Sequence, residues 1–251
     1  MNILGENRRM LGKLLVVAAG APVGQTFALL VQGAAGSVFA ASETLTRAIP
    51  LVLTGLSAAV AFRARLFNIG AEGQLYAGAL AAVAVGGQYA EAGLSALGPA
   101  MQFALMLLCA GAAGALLLLG PALAKSRLGV DEVVTTLLLN FIVLLGVSAL
   151  LDGPMKDPTA MGWPQSVALL ESMELGKLVP QTRLHTGLIA ALVLPVLLWW
   201  LMQHTTLGFD IRATGANARA AAFVGVRVPR TIVLTACISG ALAGLAGAIE
   251  V

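Results

Sequence analysis

The feature that most limits this chain is an unbroken run of 26 residues, Pro99 to Ala124, without one charged side chain. A soluble domain of ordinary composition is about 25% Asp, Glu, Lys and Arg, whereas this chain of 251 residues is 11% charged and 59% hydrophobic. That much apolar surface exceeds what one water-soluble core of this size can hide, and a bilayer accepts it on the outside of the fold. The composition rules out a disordered tail and argues against a soluble globule. Barrel strands are segments of about 10 residues with alternating polarity, but Met101 to Leu119 is apolar on every side and has no two-residue period. The expected fold class is therefore an all-α integral membrane protein, a polytopic helical bundle.

A helix crossing the hydrocarbon needs about 20 mainly apolar residues. Cutting the chain at its charges leaves seven candidates. The first lies between Lys13 and Glu43 and is interrupted by Gly20, Pro22, Gln25 and Gln32. The others are Ala48 to Phe62, Gly73 to Ala90, Pro99 to Ala124, Val133 to Leu151, Leu184 to Met202, and Thr231 to the end. They form a single transmembrane domain over residues 1–251. Gly240 with Gly244, and Gly20 with Gly24, stand four apart, which puts each pair on one helix face where backbones can approach.

Lys and Arg favour cytoplasmic loops. With the N-terminus inside, Arg8, Arg9, Lys13, Arg63, Arg65, Lys125, Arg127, Arg212, Arg219, Arg227 and Arg230 fall in the cytoplasm, and Arg47, Lys156, Lys177 and Arg183 fall outside. Eleven against four supports that orientation. It also sets Trp199 and Trp200 at the inner interface.

Much chemistry is missing. None of the four lysines follows a glycine and precedes Ser or Thr, so no phosphate-cradling loop for ATP is encoded. His185 and His204 lie at helix ends with no acidic or cysteine neighbour at ligand spacing, and Cys109 and Cys237 sit in apolar stretches, so no metal site is expected. No G-x-S-x-G nucleophile motif occurs. The excess of Lys and Arg, 15 against 12 Asp and Glu, forms no basic patch for nucleic acid. No catalytic residue and no cofactor is assigned.

Three connections carry more than the spans. Arg63 to Gln74 reads RARLFNIGAEGQ and sets Asn68, Glu72 and Gln74 among Gly70 and Gly73. It is either a re-entrant segment lining a polar cavity or a cytoplasmic hairpin. The stretch from Asp152 to Arg183, residues 152–183, is an external loop, either a lid or docking surface or a solvated loop with a short helix. In the stretch from Leu207 to Arg230, residues 207–230, Asn217 can cap a short helix of Ala218 to Val224, Gly225 can close it in the left-handed conformation, and Pro229 blocks continuation. Such a helix is too short to stand alone and must pack on this chain or on another subunit.

Carriers that move ions usually hold an acid or base deep in a helix. Glu72 is the nearest candidate here, and the spans otherwise carry Thr54, Ser57, Gln74, Tyr76, Thr135, Thr136 and Asn140. That polarity suits an uncharged, hydroxyl-bearing solute. A secondary transporter driven by an ion gradient is left open by these residues alone.

The run TLTRAIPLVLTGLSAAVAFRARLFNIGAEGQLYAGALAA, from Thr44, closely resembles the permease subunits of bacterial ABC importers for nucleosides and simple sugars, the branched-chain-type permease family. GVDEVVTTLLLNFI from Gly129, GPMKDP from Gly153, TTLGFDIRATGANARAAAFVGV from Thr205 and SGALAGLAGAIEV from Ser239 fit the same family in order. The resemblance implies an inner-membrane permease working by alternating access, with ATP bound by separate ATP-binding cassette subunits. It implies a second permease subunit, commonly a paralogue, and an external substrate-binding protein. Asn217 to Gly225 would be the coupling helix, with Arg212, Gly215 and Arg219 in the same segment. Asn68, Glu72, Gln74 and Asn140 would lie near the translocation path. Relatives have a longer first helix and continue for further helices beyond Val251, so the sequence reads as a fragment cut short at its C-terminal end.

Overall fold

The computed structural model describes Gly20 and residues 22–87 and 98–251. The described helices are α1 (Val23–Ala35), α2 (Val38–Arg63), α3 (Ala71–Gly86), α4 (Pro99–Leu128), α5 (Glu132–Asp152), α6 (Gly187–His204), α7 (Thr206–Ala216), α8 (Ala218–Phe223) and α9 (Val228–Glu250), with a 3-10 turn at Glu171–Met173. The described residues form no strand, only isolated bridges. Among them, α2, α4, α5, α6 and α9 are long and apolar enough to cross a membrane.

The boundaries differ from the sequence reading in instructive ways. Helix α2 begins ten residues before the expected Ala48, because Glu43 and Arg47 are carried inside it rather than ending it. The region between Lys13 and Glu43 yields only the 13-residue α1, which starts after Pro22 and stops at Gly36. Helix α3 has 16 residues and ends at Gly86, and the expected end at Ala90 lies outside the described residues. Arg8, Arg9 and Lys13 also lie outside them. The Gly20 and Gly24 pair marks no close approach among the described residues, since a Cβ on either would meet nothing of them within 4 Å.

The chain divides into two compact units. One carries the described residues up to Ala48 together with Lys177–His185, the other the described residues of Ile49–Gly176 with Thr186–Val251. In the first, Thr44 Oγ1 at the start of α2 donates to the Ala34 carbonyl of α1 at 2.8 Å, and Leu178 N donates to the Leu184 carbonyl at 2.8 Å.

In the second unit α9 is the central helix. In its most apolar window 61% of residues are buried, against 11% for α5. The cause is a seam of small residues. A side chain on Gly240 or Gly244 would collide with the backbone of α4 at Gly114 or Ala110, and one on Gly247 with the backbone of α3 at Leu75. Gly78 of α3 meets Gly244 in the same way. Lipid tails are as apolar as Leu, so helices in a bilayer gain from close van der Waals contact rather than from hiding apolar area, and small residues allow that contact. Larger side chains fill the two ends of the seam. Ala61, Leu66, Leu118, Ala122, Ile232 and Ala236 pack at one, and Ala82, Val83, Met106, Ala110 and Ala248 at the other.

The connection after α5 closes the second end. Val167, Leu169 and Met173 are buried against Ala82, Val83 and Met106, and Leu170 N donates to the Gly86 carbonyl at 2.9 Å. This part of the connection is thus a packed plug, held by its own apolar residues, with the short turn at Glu171–Met173 inside it.

Candidate functional site

The polar connection from α2 to α3 is built as a clamped loop. Helix α2 ends with Leu66 N donating to the Ala61 carbonyl at 3.0 Å and Arg65 in the left-handed region at φ 52°. Residues 66–70 are then free of regular structure, and their amides need partners. Helix α5 supplies them from one stripe. Phe67 N donates to Glu132 Oε1 at 3.3 Å, Ile69 N to Thr136 Oγ1 at 3.3 Å, and Gly73 N to Asn140 Oδ1 at 2.5 Å. Glu132, Thr136 and Asn140 are four residues apart, so they stack on one helical face, and all three are buried. Gly70 and Gly73 are glycines because of this approach: a Cβ would stand 2.6 Å from the Thr136 carbonyl oxygen or 2.8 Å from Asn140 Oδ1. Lys125 of α4 completes the anchor, pairing with Glu132 Oε1 at 2.5 Å and donating to the Arg65 carbonyl.

Two of the expected path residues bond each other. Asn68 Nδ2 donates to Gln74 Oε1 at 2.9 Å while Gln74 Nε2 donates to Asn68 Oδ1 at 2.9 Å. Asn68 Nδ2 also donates to Ser239 Oγ at 3.2 Å, and Ser239 and Ser57 hydroxyls lie 3.0 Å apart. Asn68, Gln74, Ser57 and Ser239 are all buried, so this network joins the loop, α2, α3 and α9 through satisfied polar groups. The void beside it, lined by Gly70, Gly73, Gln74, Thr136 and Asn140, is about 10 Å³. That is room for one water at most. The connection is therefore a tight hairpin whose amides are satisfied by side chains, with no solute-sized polar cavity at this loop in the described conformation.

Glu72 differs from its neighbours. It is exposed on the first turn of α3, with Asn140 Nδ2 donating to its Oε2 at 3.2 Å. Tyr76, one turn further on, is also exposed. Thr54 spends its hydroxyl on the Pro50 carbonyl in its own helix, and Thr135 on the carbonyl of Asp131, which caps α5. The roles of Glu132 and Thr136 as loop acceptors were not foreseen. The signal was present as polar residues at every fourth position, 132, 136 and 140, of a mainly apolar helix.

The second candidate region is the segment after α6. The sequence reading gave one short helix here, and there are two. Thr205 accepts from Gly208 N at 3.0 Å and opens α7, for which the sequence reading held no expectation. Helix α7 lies tight on its surroundings, since a Cβ on Gly208 would strike Leu201 and one on Gly215 the Arg63 carbonyl. Asn217 caps α8 as expected, accepting from Arg219 N at 3.0 Å and Ala220 N at 3.1 Å. Helix α8 stops at Phe223, one residue short of the expected Val224, and Gly225 turns the chain at φ 95°. Ala221 is buried, whereas Arg219 is exposed, Phe223 is 93% exposed and Val224 70%. One face of α8 packs on this chain and the other is left open. Arg212 Nη1 donates to Gln203 Oε1 at 3.0 Å, tying α7 to α6. A cavity of about 440 Å³ between α7 and the start of α9 is lined by Phe209, Asp210, Arg227, Arg230 and Leu234.

Lys125 with Glu132 forms an ion pair. No group of three or more His, Cys, Asp or Glu among them is placed to hold a metal.

Residues 40–251 match the family described as branched-chain amino acid transport system / permease component. The guanosine ABC transporter permease protein NupP of Bacillus subtilis is 37% identical over 241 residues, covering 95% of this chain and 67% of that protein. A glucose ABC transporter permease protein of Haloferax volcanii is 35% identical over 225 residues, 86% of this chain and 57% of its own length. A second Bacillus subtilis protein, the guanosine ABC transporter permease protein NupQ, is 30% identical over 212 residues, 82% of this chain and 65% of its own length. The chain spans about two thirds or less of the length of these curated relatives. No solved structure matches it.

Proposed function

Because this chain belongs to the family of branched-chain amino acid transport system / permease components, we propose that it is the transmembrane permease subunit of an ATP-driven importer, forming the translocation path for a nucleoside or simple sugar. It is a multi-pass membrane protein and a transport component, not an enzyme, and the bacterial inner membrane fits both facts. The substrate class rests on relatives named for guanosine and for glucose, which share a polyhydroxylated sugar unit. Two relatives from one organism, both named as guanosine permeases, support pairing with a paralogous permease.

The observation that carries the energetic part of the reading is the split character of α8. A capped, six-residue helix in which only Ala221 is buried, followed by the exposed Val224, leaves most of its surface unclaimed, while α7 behind it is held against α6 and Arg63 by close backbone contact at Gly208 and Gly215. This is the build of a lever: a rigid stem with a contact surface at its tip. ATP-binding cassette subunits would dock there, ATP being bound by them, and move α7 and α8 as the spans switch between two arrangements. An external substrate-binding protein would deliver the solute. In this reading residues 152–183 face outward and 207–230 inward, and Arg212, Gly215, Asn217, Arg219 and Gly225 shape the lever. Asn68, Gln74 and Asn140 hold the loop, leaving Glu72 as the member of the path set that a solute can reach.

The test uses cells with and without this gene, supplied with labelled nucleosides and sugars. Uptake that depends on the gene and stops when the partner ATPase is inactivated is the expected result. Uphill uptake by the purified full-length permease in liposomes without nucleotide or ATPase would refute the reading.

A further inference from the structure

Helices α2 and α6 leave a groove between them that the transport reading does not use. It encloses about 200 Å³. Val60 and Leu198 form its floor, packed on Leu242 of α9, and Leu56 and Ala59 line its α2 side. The stretch from Leu56 to Arg63 rises about 10 Å. Pro195 lies at one end, and Arg63, Met202 and Gln203 stand at the other, where both helices finish. The groove therefore runs along the axis of two helices that are long and apolar enough to cross a membrane, apolar within and cationic at its mouth.

Three features of the mouth bear on what fills it. Arg63 is exposed and belongs to no ion pair among the described residues. Arg212 reaches the same place through its hydrogen bond to Gln203 Oε1. Trp199 lines the groove and Trp200 stands beside it, both more than half exposed, and His204 packs against both rings at the end of α6. Indole rings of this kind sit at the headgroup level of a bilayer, and a guanidinium there pairs with phosphate through directed, charge-assisted bonds.

We infer that this groove is a binding site for one anionic phospholipid, an acyl chain lying over Val60 and Leu198 and its phosphate held by Arg63 with Arg212 alongside. The inference needs only that α2 and α6 span a bilayer, so it stands or falls separately from the transport reading.

The experiment places the full-length permease, in its assembled complex, in lipid nanodiscs with every tryptophan except Trp199 replaced by phenylalanine. Quenching of Trp199 is then titrated with phosphatidylglycerol or phosphatidylcholine carrying brominated acyl chains. Half-quenching is expected at a roughly fivefold lower mole fraction of the anionic lipid. Arg63→Gln removes that preference and Arg63→Lys keeps it. Ala59→Phe, which fills the groove, weakens quenching by both lipids while the complex still assembles. Free inorganic phosphate at millimolar concentration leaves the preference intact, because the acyl chain supplies part of the affinity. Equal quenching by the two lipids would mean ordinary boundary lipid and overturn the proposal. So would a preference that survives Arg63→Gln, one abolished by free phosphate, or absence of quenching in the complex, which would place a protein subunit over the groove.

Discussion

The acceptor stripe of α5 makes a graded forecast. Replacing Asn140 by leucine keeps the shape of the side chain and removes the acceptor for Gly73 N, a buried donor bonded at 2.5 Å. An orphaned buried amide costs about 1–3 kcal/mol, so Asn140→Leu is expected near 2 kcal/mol on that scale. Thr136→Val removes a longer bond of 3.3 Å to Ile69 N and spares the helix the hydroxyl's own carbonyl bond, so about 0.5–1 kcal/mol is expected. Glu132→Ala strips Phe67 N of its acceptor and Lys125 of its partner. Lys125 keeps 24% of its side chain in solvent, so the loss falls below the 3–5 kcal/mol of a fully buried pair, at about 2–3 kcal/mol. All three act on one loop, so the triple variant loses less than the sum. The assay is unfolding in mixed micelles joined to amide exchange read at residues 67, 69 and 73. Unchanged exchange at Gly73 in Asn140→Leu, or Thr136→Val proving the costliest of the three, would refute the clamp.

Three other outcomes are expected. Gly244→Ala drives a Cβ into the α4 backbone at Ala110 and lowers unfolding stability by about 1–3 kcal/mol, whereas Gly146→Ala on α5, where a Cβ meets nothing within 4 Å, leaves stability equal or higher. Asn217→Ala removes the cap of α8, costing about 1 kcal/mol locally, and raises amide exchange at Arg219 and Ala220 while lowering co-purification of the ATPase, with Phe223→Asp lowering the latter alone. Hydrogen bonds from the Thr159 hydroxyl and amide hold the Asp157 carboxyl below its ordinary value of 3.8. The turn it forms is fully supported above that pH and loses support as pH falls through the lowered value, so Thr159 N exchange accelerates there in the wild type and not in Asp157→Asn.

The fold was legible where one residue type had one physical meaning. Uncharged runs of helical length marked the spans, Asn217 and Gly225 marked the limits of α8, and the Gly240 and Gly244 pair marked the seam. What escaped had a competing explanation in sequence. Glu43 and Arg47 looked like a boundary, yet a helix continues through charges that a bilayer interface tolerates. The segment TLGFDIRATGA carries two glycines, which argue for a loop by propensity. They are instead the price of close packing, because Gly208 and Gly215 each touch another backbone. Gly20 and Gly24 repeated the spacing of the seam but meet no neighbour among the described residues. The amides of residues 66–70 had no readable destination, since finding Glu132, Thr136 and Asn140 requires knowing that α5 lies beside the loop.

The glycine seam has a mechanical corollary. Side chains that interdigitate can change rotamer and let two helices creep past each other, but where main chain rests on main chain there is nothing to rearrange. Helices α3, α4 and α9 are welded along Gly78, Gly114, Gly240, Gly244 and Gly247, and so form a keel. Whatever flexing this unit undergoes falls to the helices hung on that keel, α5 to α8 and the latter half of α2.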